Sequence, residues 1–186
     1  MPNFTISRPG IAELDEKGSR FIGHLVPWLE FENRLASLRE EHRKASHHVT
    51  AFRRMLPENR IEEGARDDGE PAGTSGMPTL KVLIGADLVD AGIIIVRYFG
   101  GTKLGTGGLA RAYAGTALRT VEAATLVPWH RIVSRTISCP FKDMSNLEQL
   151  ISAADLTVIS RDYTDTGVVI SIEGPEDKIA AIAPDS

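Results

Sequence analysis

The sequence holds one cysteine, Cys139, among 186 residues, so no disulfide can form within the chain. That excludes the disulfide-stapled secreted folds and fits a reducing compartment, with the thiol read as buried and inert. No apolar run approaches the ~20 residues a membrane span needs. The start, "MPNFTISRPG", lacks a basic segment leading into an apolar core. A cytoplasmic protein with no membrane partner is therefore expected. HExxH and Cys/His clusters at zinc spacing are missing, so neither a structural zinc nor any other cofactor is implied. The Gly-x-Ser-x-Gly elbow is missing too, since Ser75 stands in Gly73-Thr74-Ser75-Gly76.

Net positive charge is also lacking. At −4 the chain does not look like a general nucleic-acid coat protein. The deficit is uneven, because residues 1–125 are neutral overall and residues 126–186 carry the −4. Residues 91–121 contain no acid at all, only Arg97, Lys103, Arg111 and Arg119. A local positive patch of this kind can steer an anionic partner.

That acid-free stretch contains "VRYFGGTKLGTGGLARAYAG", with five glycines between Gly100 and Gly108. The β-branched run Ile93–Val96 before it predicts a strand over 92–99, apolar on both faces and so central in its sheet. The Ala-rich run after it predicts a helix over 107–124, capped by Thr106, with Ala110, Ala114, Ala117 and Val121 packing closely. A glycine-rich strand-to-helix turn exposes N–H groups at the positive end of a helix, which is an anion site in the making. Lys103, Arg111 and the Thr106 hydroxyl would add charge-assisted bonds around Gly107 and Gly108. A Walker A reading fails, because Thr106 and Gly107 follow Gly105 where Lys and Ser/Thr are required. Gly105-x-Gly107-x-x-Ala110 fits the relaxed dinucleotide pattern, but no carboxylate follows at the expected distance. Glycines serving only a tight turn and close packing are the plain alternative.

Elsewhere, strands are expected over 2–8, 19–26 and 47–55, and an amphipathic helix within 28–45. Residues 57–79 read as one long loop, followed by a helix over 79–88. Loops of that length in a compact domain tend to be functional or mobile. The loop gathers Asp67, Asp68 and Glu70, which suits either a divalent cation or a solvated acidic turn. His47 and His48 are neighbours on a strand, hence on opposite faces. "VPWHR" at 127–131 marks a boundary. Beyond it the order strand, helix, strand, strand, helix gives a ferredoxin-like unit short of its last strand, with Pro175 opening the final helix.

Four blocks, "KGSRFIG" (17–23), "ASHHVTAFR" (45–53), "DDGEPAGTSGMP" (67–78) and "VRYFGGTKLGTGGLARAY" (96–113), occur in the order seen in the IMPACT/YigZ family, which the sequence resembles over about residues 4–125. The region from about 130 is similar, more weakly, to the C-terminal domain of the bacterial YigZ branch. The resemblance implies an α+β fold in two domains. Residues 1–127 would be a βαβ-type domain like domain IV of elongation factor G, and residues 128–186 a ferredoxin-like unit like its domain V, incomplete at its end. It implies a translation-related role, by protein contact in eukaryotic IMPACT and by RNA or ribosome binding in bacterial members. A proline-dipeptidase activity ascribed to some members would need metal ligands that this sequence does not supply.

The first functional expectation is RNA or ribosome binding. Arg97, Tyr98, Lys103, Thr106, Gly107, Gly108, Arg111 and Arg119 would form the contact. Asp67, Asp68, Glu70, His47 and His48 would form a second part of the site. A protein-interaction module and an enzyme acting on a small phosphorylated ligand are the alternatives. A deep pocket where both loops converge would favour the enzyme on its small ligand, a broad shallow basic face RNA, and an exposed apolar patch a protein partner.

Overall fold

The computed structural model describes residues 3–183. The chain divides between Trp129 and His130 into two compact units.

In the first unit, strand β1 (Phe4–Arg8) precedes a hairpin of β2 (Gly10–Glu16) and β3 (Ser19–Pro27). Lys17 and Gly18 make its two-residue turn, both at positive φ (48° and 79°), the twist a tight hairpin needs. Helix α1 (Trp28–Glu41) leads to β4 (His47–Met55), β5 (Ile61–Arg66), helix α2 (Gly76–Gly85), β6 (Ala91–Tyr98), helix α3 (Gly105–Glu122) and β7 (Thr125–Pro128). The main sheet has the order β2-β3-β6-β4-β5, every pair antiparallel. β3 and β4 therefore run parallel to each other on either side of β6, joined by α1: a split βαβ unit. β6 is buried at every residue but Tyr98, as its apolar run predicts. Phe21, Leu25, Ile93 and Ile95 pack under α2 and α3, while Ile22, Val26, Ile94 and Val96 pack under α1. β1 pairs with β7 in a separate ribbon.

Three details depart from the sequence reading. Residues 57–79 are not one loop, since 61–66 form the edge strand β5, paired with β4. Thr106 does not cap α3, which begins at Gly105 with no side-chain cap. The buried face of α3 is Leu109, Ala112, Tyr113, Thr116, Ala117, Thr120 and Val121, so Ala117 and Val121 of the expected stripe are buried while Ala110 and Ala114 are only half-buried. Its close approach comes from glycines on the strands: a Cβ on Gly10 would lie 2.2 Å from the Thr120 carbonyl oxygen, and one on Gly23 would lie 2.1 Å from Thr120 Oγ1.

The second unit runs β8 (Ile132–Pro140), α4 (Met144–Ala153), β9 (Thr157–Tyr163), β10 (Gly167–Pro175) and α5 (Glu176–Ile182). The sheet order β8-β10-β9 is antiparallel throughout. This is the ferredoxin-like βαββα order, without a fourth strand among the described residues. Leu147, Ile151, Ile170, Ile172 and Ile179 fill its core, with Cys139 at the margin as a free thiol. Pro175 precedes α5, whose first turn carries Glu176 and Asp177. No helix among the described residues is long and apolar enough to cross a membrane.

Candidate functional site

The glycine-rich turn has two kinds of glycine. Gly100 sits against the β2–β3 hairpin: a Cβ there would lie 1.9 Å from the Gly18 carbonyl carbon, and its N–H donates to Ser19 Oγ at 3.1 Å. Gly101 and Gly105 have φ of 85° and 72°, a region side chains rarely enter. These three are required by the fold. Gly107 is not, since it lies exposed in the first turn of α3, and a Cβ on it would meet only Arg111 Nη1, at 3.4 Å. Arg111 thus reaches back over the helix start. No acidic residue occupies that turn. The N–H groups there have no intrahelical partner, and they carry the positive end of the helix.

The start of α3 borders a pocket of about 330 Å³ where both loops converge. Glu70 and Pro71 come from one loop, Phe99, Lys103 and Thr106 from the other, and Arg97 lies between them. Arg97 is a correction to the expected phosphate contacts. It is only 5% exposed, and its Nη1 donates to Glu70 Oε1 at 2.5 Å. Nη2 donates to Ser19 Oγ at 3.4 Å, and Nε is buried with no partner among the described residues. Its charge therefore serves Glu70 rather than a free anion. Glu70 also accepts from Tyr113 Oη at 2.7 Å. Burial, reinforced by that bond, pushes the Tyr113 phenol well above its usual pKa, so it stays a donor.

Each of the three carboxylates in the acidic loop is engaged by protein groups. Asp67 accepts from the N–H groups of Gly73, Ser75 and Gly76 and from Ser75 Oγ. It closes the loop and supplies the anion at the start of α2. Partial burial pushes its pKa up, but those four donors outweigh it and hold the carboxyl below its ordinary value. Asp68 accepts from the His48 N–H at 2.6 Å. Glu70 is the buried ion pair. Among the described residues no three His, Cys, Asp or Glu side chains cluster as metal ligands. His47 belongs on this side: its Nδ1 lies 2.8 Å from the Asp68 carbonyl oxygen and its Nε2 3.8 Å from Glu70 Oε2. His48 points the other way, with Nε2 3.3 Å from the Leu38 carbonyl oxygen, and burial lowers its pKa.

Tyr98 and Arg119 also fall outside the cluster. Tyr98 faces α1, where its hydroxyl lies 2.8 Å from His42 Nδ1. Arg119 is near the end of α3, ~18 Å along the helix from Gly107, and its Nη1 donates to the Glu13 carbonyl oxygen at 3.4 Å. The structure thus gathers Lys103, Thr106, Gly107, Gly108 and Arg111 at the turn, with Glu70 and His47 behind it. The sequence reading missed Ser19 and Tyr113, which fix Arg97 and Glu70. Ser19 follows the Lys17–Gly18 turn, so its position against Gly100 was signalled only by the shared need for bare backbone. On the α1 face, His24 is buried with Nε2 unpartnered among the described residues. Burial, with Arg34 and His42 nearby, lowers its pKa to about 4.

The comparisons agree on one relationship. The Impact N-terminal domain model matches residues 17–121. IMPACT family member YigZ of Escherichia coli (strain K12) is 33% identical over 184 residues, covering 97% of this chain and 90% of its own length. IMPACT family member YvyE of Bacillus subtilis (strain 168) is 41% identical over 113 residues, 59% of this chain and 51% of its own. A solved structure described as that of a hypothetical protein is 31% identical, with a TM-score of 0.71, covering 98% of this chain and 90% of its own. One described as the two-domain translational regulator Yih1 covers 67% of this chain and 48% of its own at 22% identity, with a TM-score of 0.36, too loose a match to carry function across.

Proposed function

Because this chain belongs to the IMPACT family, we propose that it works in a translation-related setting as an RNA- or ribosome-binding protein whose phosphate contact is the start of α3. The observation that carries this reading is the uncapped first turn of α3, with exposed Lys103 and Arg111 beside it and no acidic residue within it. Glu70, the carboxylate in the pocket, is already neutralised by Arg97. A phosphate placed at such a turn gains both N–H bonds and the helix field. Loss of Arg97, Tyr98 and Arg119 from the contact leaves a compact site beside a pocket rather than the broad basic face expected for RNA, and on that criterion the small phosphorylated ligand gains.

A protein-interaction role, which the family resemblance also implies, has one observation of its own. An apolar groove of about 420 Å³ runs between α2 and α3, with Leu118 on its wall 52% exposed. A catalytic role gains nothing from Glu70, whose Oε1 is shared by Arg97 and Tyr113.

Ultraviolet cross-linking in cells, followed by identification of the bound RNA and the cross-linked peptide, tests the proposal. RNA attached to the peptide spanning Phe99–Arg111 is the expected result. Cross-links confined to residues 130–186, or no RNA above the unirradiated control, would overturn it.

A further inference from the structure

We infer that the pocket between the acidic loop and the start of α3 receives a single nucleotide at the end of an RNA, its terminal phosphate monoester on the first turn of α3 and its base against Phe99. This rests on the RNA-binding reading above and narrows it.

The first reason is the absence of a phosphate track. Proteins that follow a single strand repeat their cationic contacts along a groove, with sites of ~4–16 nucleotides per binding module. Here Arg97 is buried against Glu70 and Arg119 is turned to the Glu13 carbonyl. Of the four cations in residues 91–121, Lys103 and Arg111 remain at the turn, both exposed.

Charge balance is the second reason. A phosphodiester carries one negative charge, whereas a monoester carries about −1.5 to −2 near neutral pH. Two cations and a helix N-terminus match the monoester. The third reason is shape. A volume of about 330 Å³ lies at the low end of pockets that enclose a small ligand, ~300–1,000 Å³. It suits one nucleotide, not a run of chain. Its walls supply Leu104, Leu109 and Pro71 for the sugar and base.

Phe99 is the stacking surface. It is 50% exposed at the pocket, and the Arg97 guanidinium carbon lies 5.7 Å from its ring centroid, a cation backing the ring. Arg97 itself is 5% exposed and lines the pocket, with Nη1 and Nη2 held by Glu70 and Ser19 and Nε buried with no partner among the described residues.

The test is competition fluorescence anisotropy on the full chain. The competitors are uridine 5′-monophosphate and oligouridylates of two to twelve nucleotides with a 5′-phosphate, a 3′-phosphate or neither. The monophosphate is expected to bind within about threefold of a phosphorylated dodecamer, and the unphosphorylated dodecamer about tenfold or more weaker, since a helix N-terminus favours the greater negative charge. Phe99→Ala is expected to weaken monomer and dodecamer by the same factor, about tenfold, as loss of one stacked base does. Affinity that climbs with length and ignores the terminal phosphate would overturn the single-nucleotide inference while RNA binding stands. A monophosphate tenfold tighter than every dodecamer would overturn the RNA reading and leave the pocket to a free nucleotide. No binding by any competitor would overturn both.

Discussion

Arg97 Nη1 and Glu70 Oε1, 27 residues apart in sequence, meet at 2.5 Å with side chains only 6% and 3% exposed. The pair ties the acidic loop to the central strand and removes from the surface one of the charges that the sequence offered to a ligand. Breaking such a pair leaves an uncompensated charge indoors, typically at a cost of about 3–5 kcal/mol. We predict that Glu70→Ala destabilises the protein by that order. Glu70→Leu combined with Arg97→Met should recover part of the loss, because no charge is left unpaired and only the Tyr113 hydroxyl loses its acceptor. Urea unfolding of the three proteins checks it; a single substitution costing less than about 1 kcal/mol would mean that water or another acceptor replaces Glu70.

The two kinds of glycine in the turn make opposite predictions. Gly100→Ala must displace the backbone of Gly18, 1.9 Å from the new Cβ, and should cost at least about 1–3 kcal/mol. Gly107→Ala lies in a helix with open space and should stabilise by about 0.5–1 kcal/mol. If bare backbone at 107 serves a phosphate, the same variant should bind RNA more weakly. Thermal melts paired with RNA titrations separate these effects. A Gly107→Ala protein that is both more stable and fully RNA-binding would show that Gly107 is dispensable.

His24 gives the stability a pH dependence. Its folded pKa of about 4 lies below the ordinary 6.5, so between those values the unfolded chain holds more protons than the folded one. Stability is therefore fully present above pH 6.5 and is lost as pH falls towards 4, by up to about 3 kcal/mol from this group. His24→Leu removes the titration. The stability of the variant relative to wild type should rise steadily from pH 7 to pH 4.5 in urea unfolding series. A difference that stays constant across that range would contradict the assignment.

Much of this fold was legible because its elements carry their own signals. The run Ile93–Val96 announced a central strand, and the Ala-rich stretch after Gly108 announced α3. The strand β5 was hidden by its composition, Ile61-Glu-Glu-Gly-Ala-Arg66, which looks like loop. Its logic is cross-strand. Glu62 and Glu63 pair with Arg54 and Arg53 on β4, and Gly64 makes room for the Phe52 ring, 2.3 Å from where its Cβ would be. An opposed pair of arginines and glutamates flanking a short loop was the available clue. The site was half legible for a similar reason. Alternation along a strand says that Arg97 and Tyr98 face opposite sides, but not which side holds the turn. Nor does sequence spacing reveal that Glu70 would arrive to neutralise Arg97. Conversely, the loop over 65–78 was expected to join the glycine-rich turn in one site, and Glu70 and Pro71 do meet Phe99, Lys103 and Thr106 around one pocket.

Whether the start of α3 holds phosphate is tested most directly by a salt series. The affinity of a 5′-phosphorylated oligouridylate should be measured for wild type, Lys103→Ala and Arg111→Ala at several salt concentrations. Each lost phosphate contact on a single strand should flatten the log–log slope by about 0.7. We predict that both variants bind every RNA sequence more weakly by a similar factor, since phosphate contacts position without specifying. Each should also lose about that much slope. Unchanged affinity and an unchanged slope in both variants would contradict the account and leave the five glycines to the turn and to the packing of the helix.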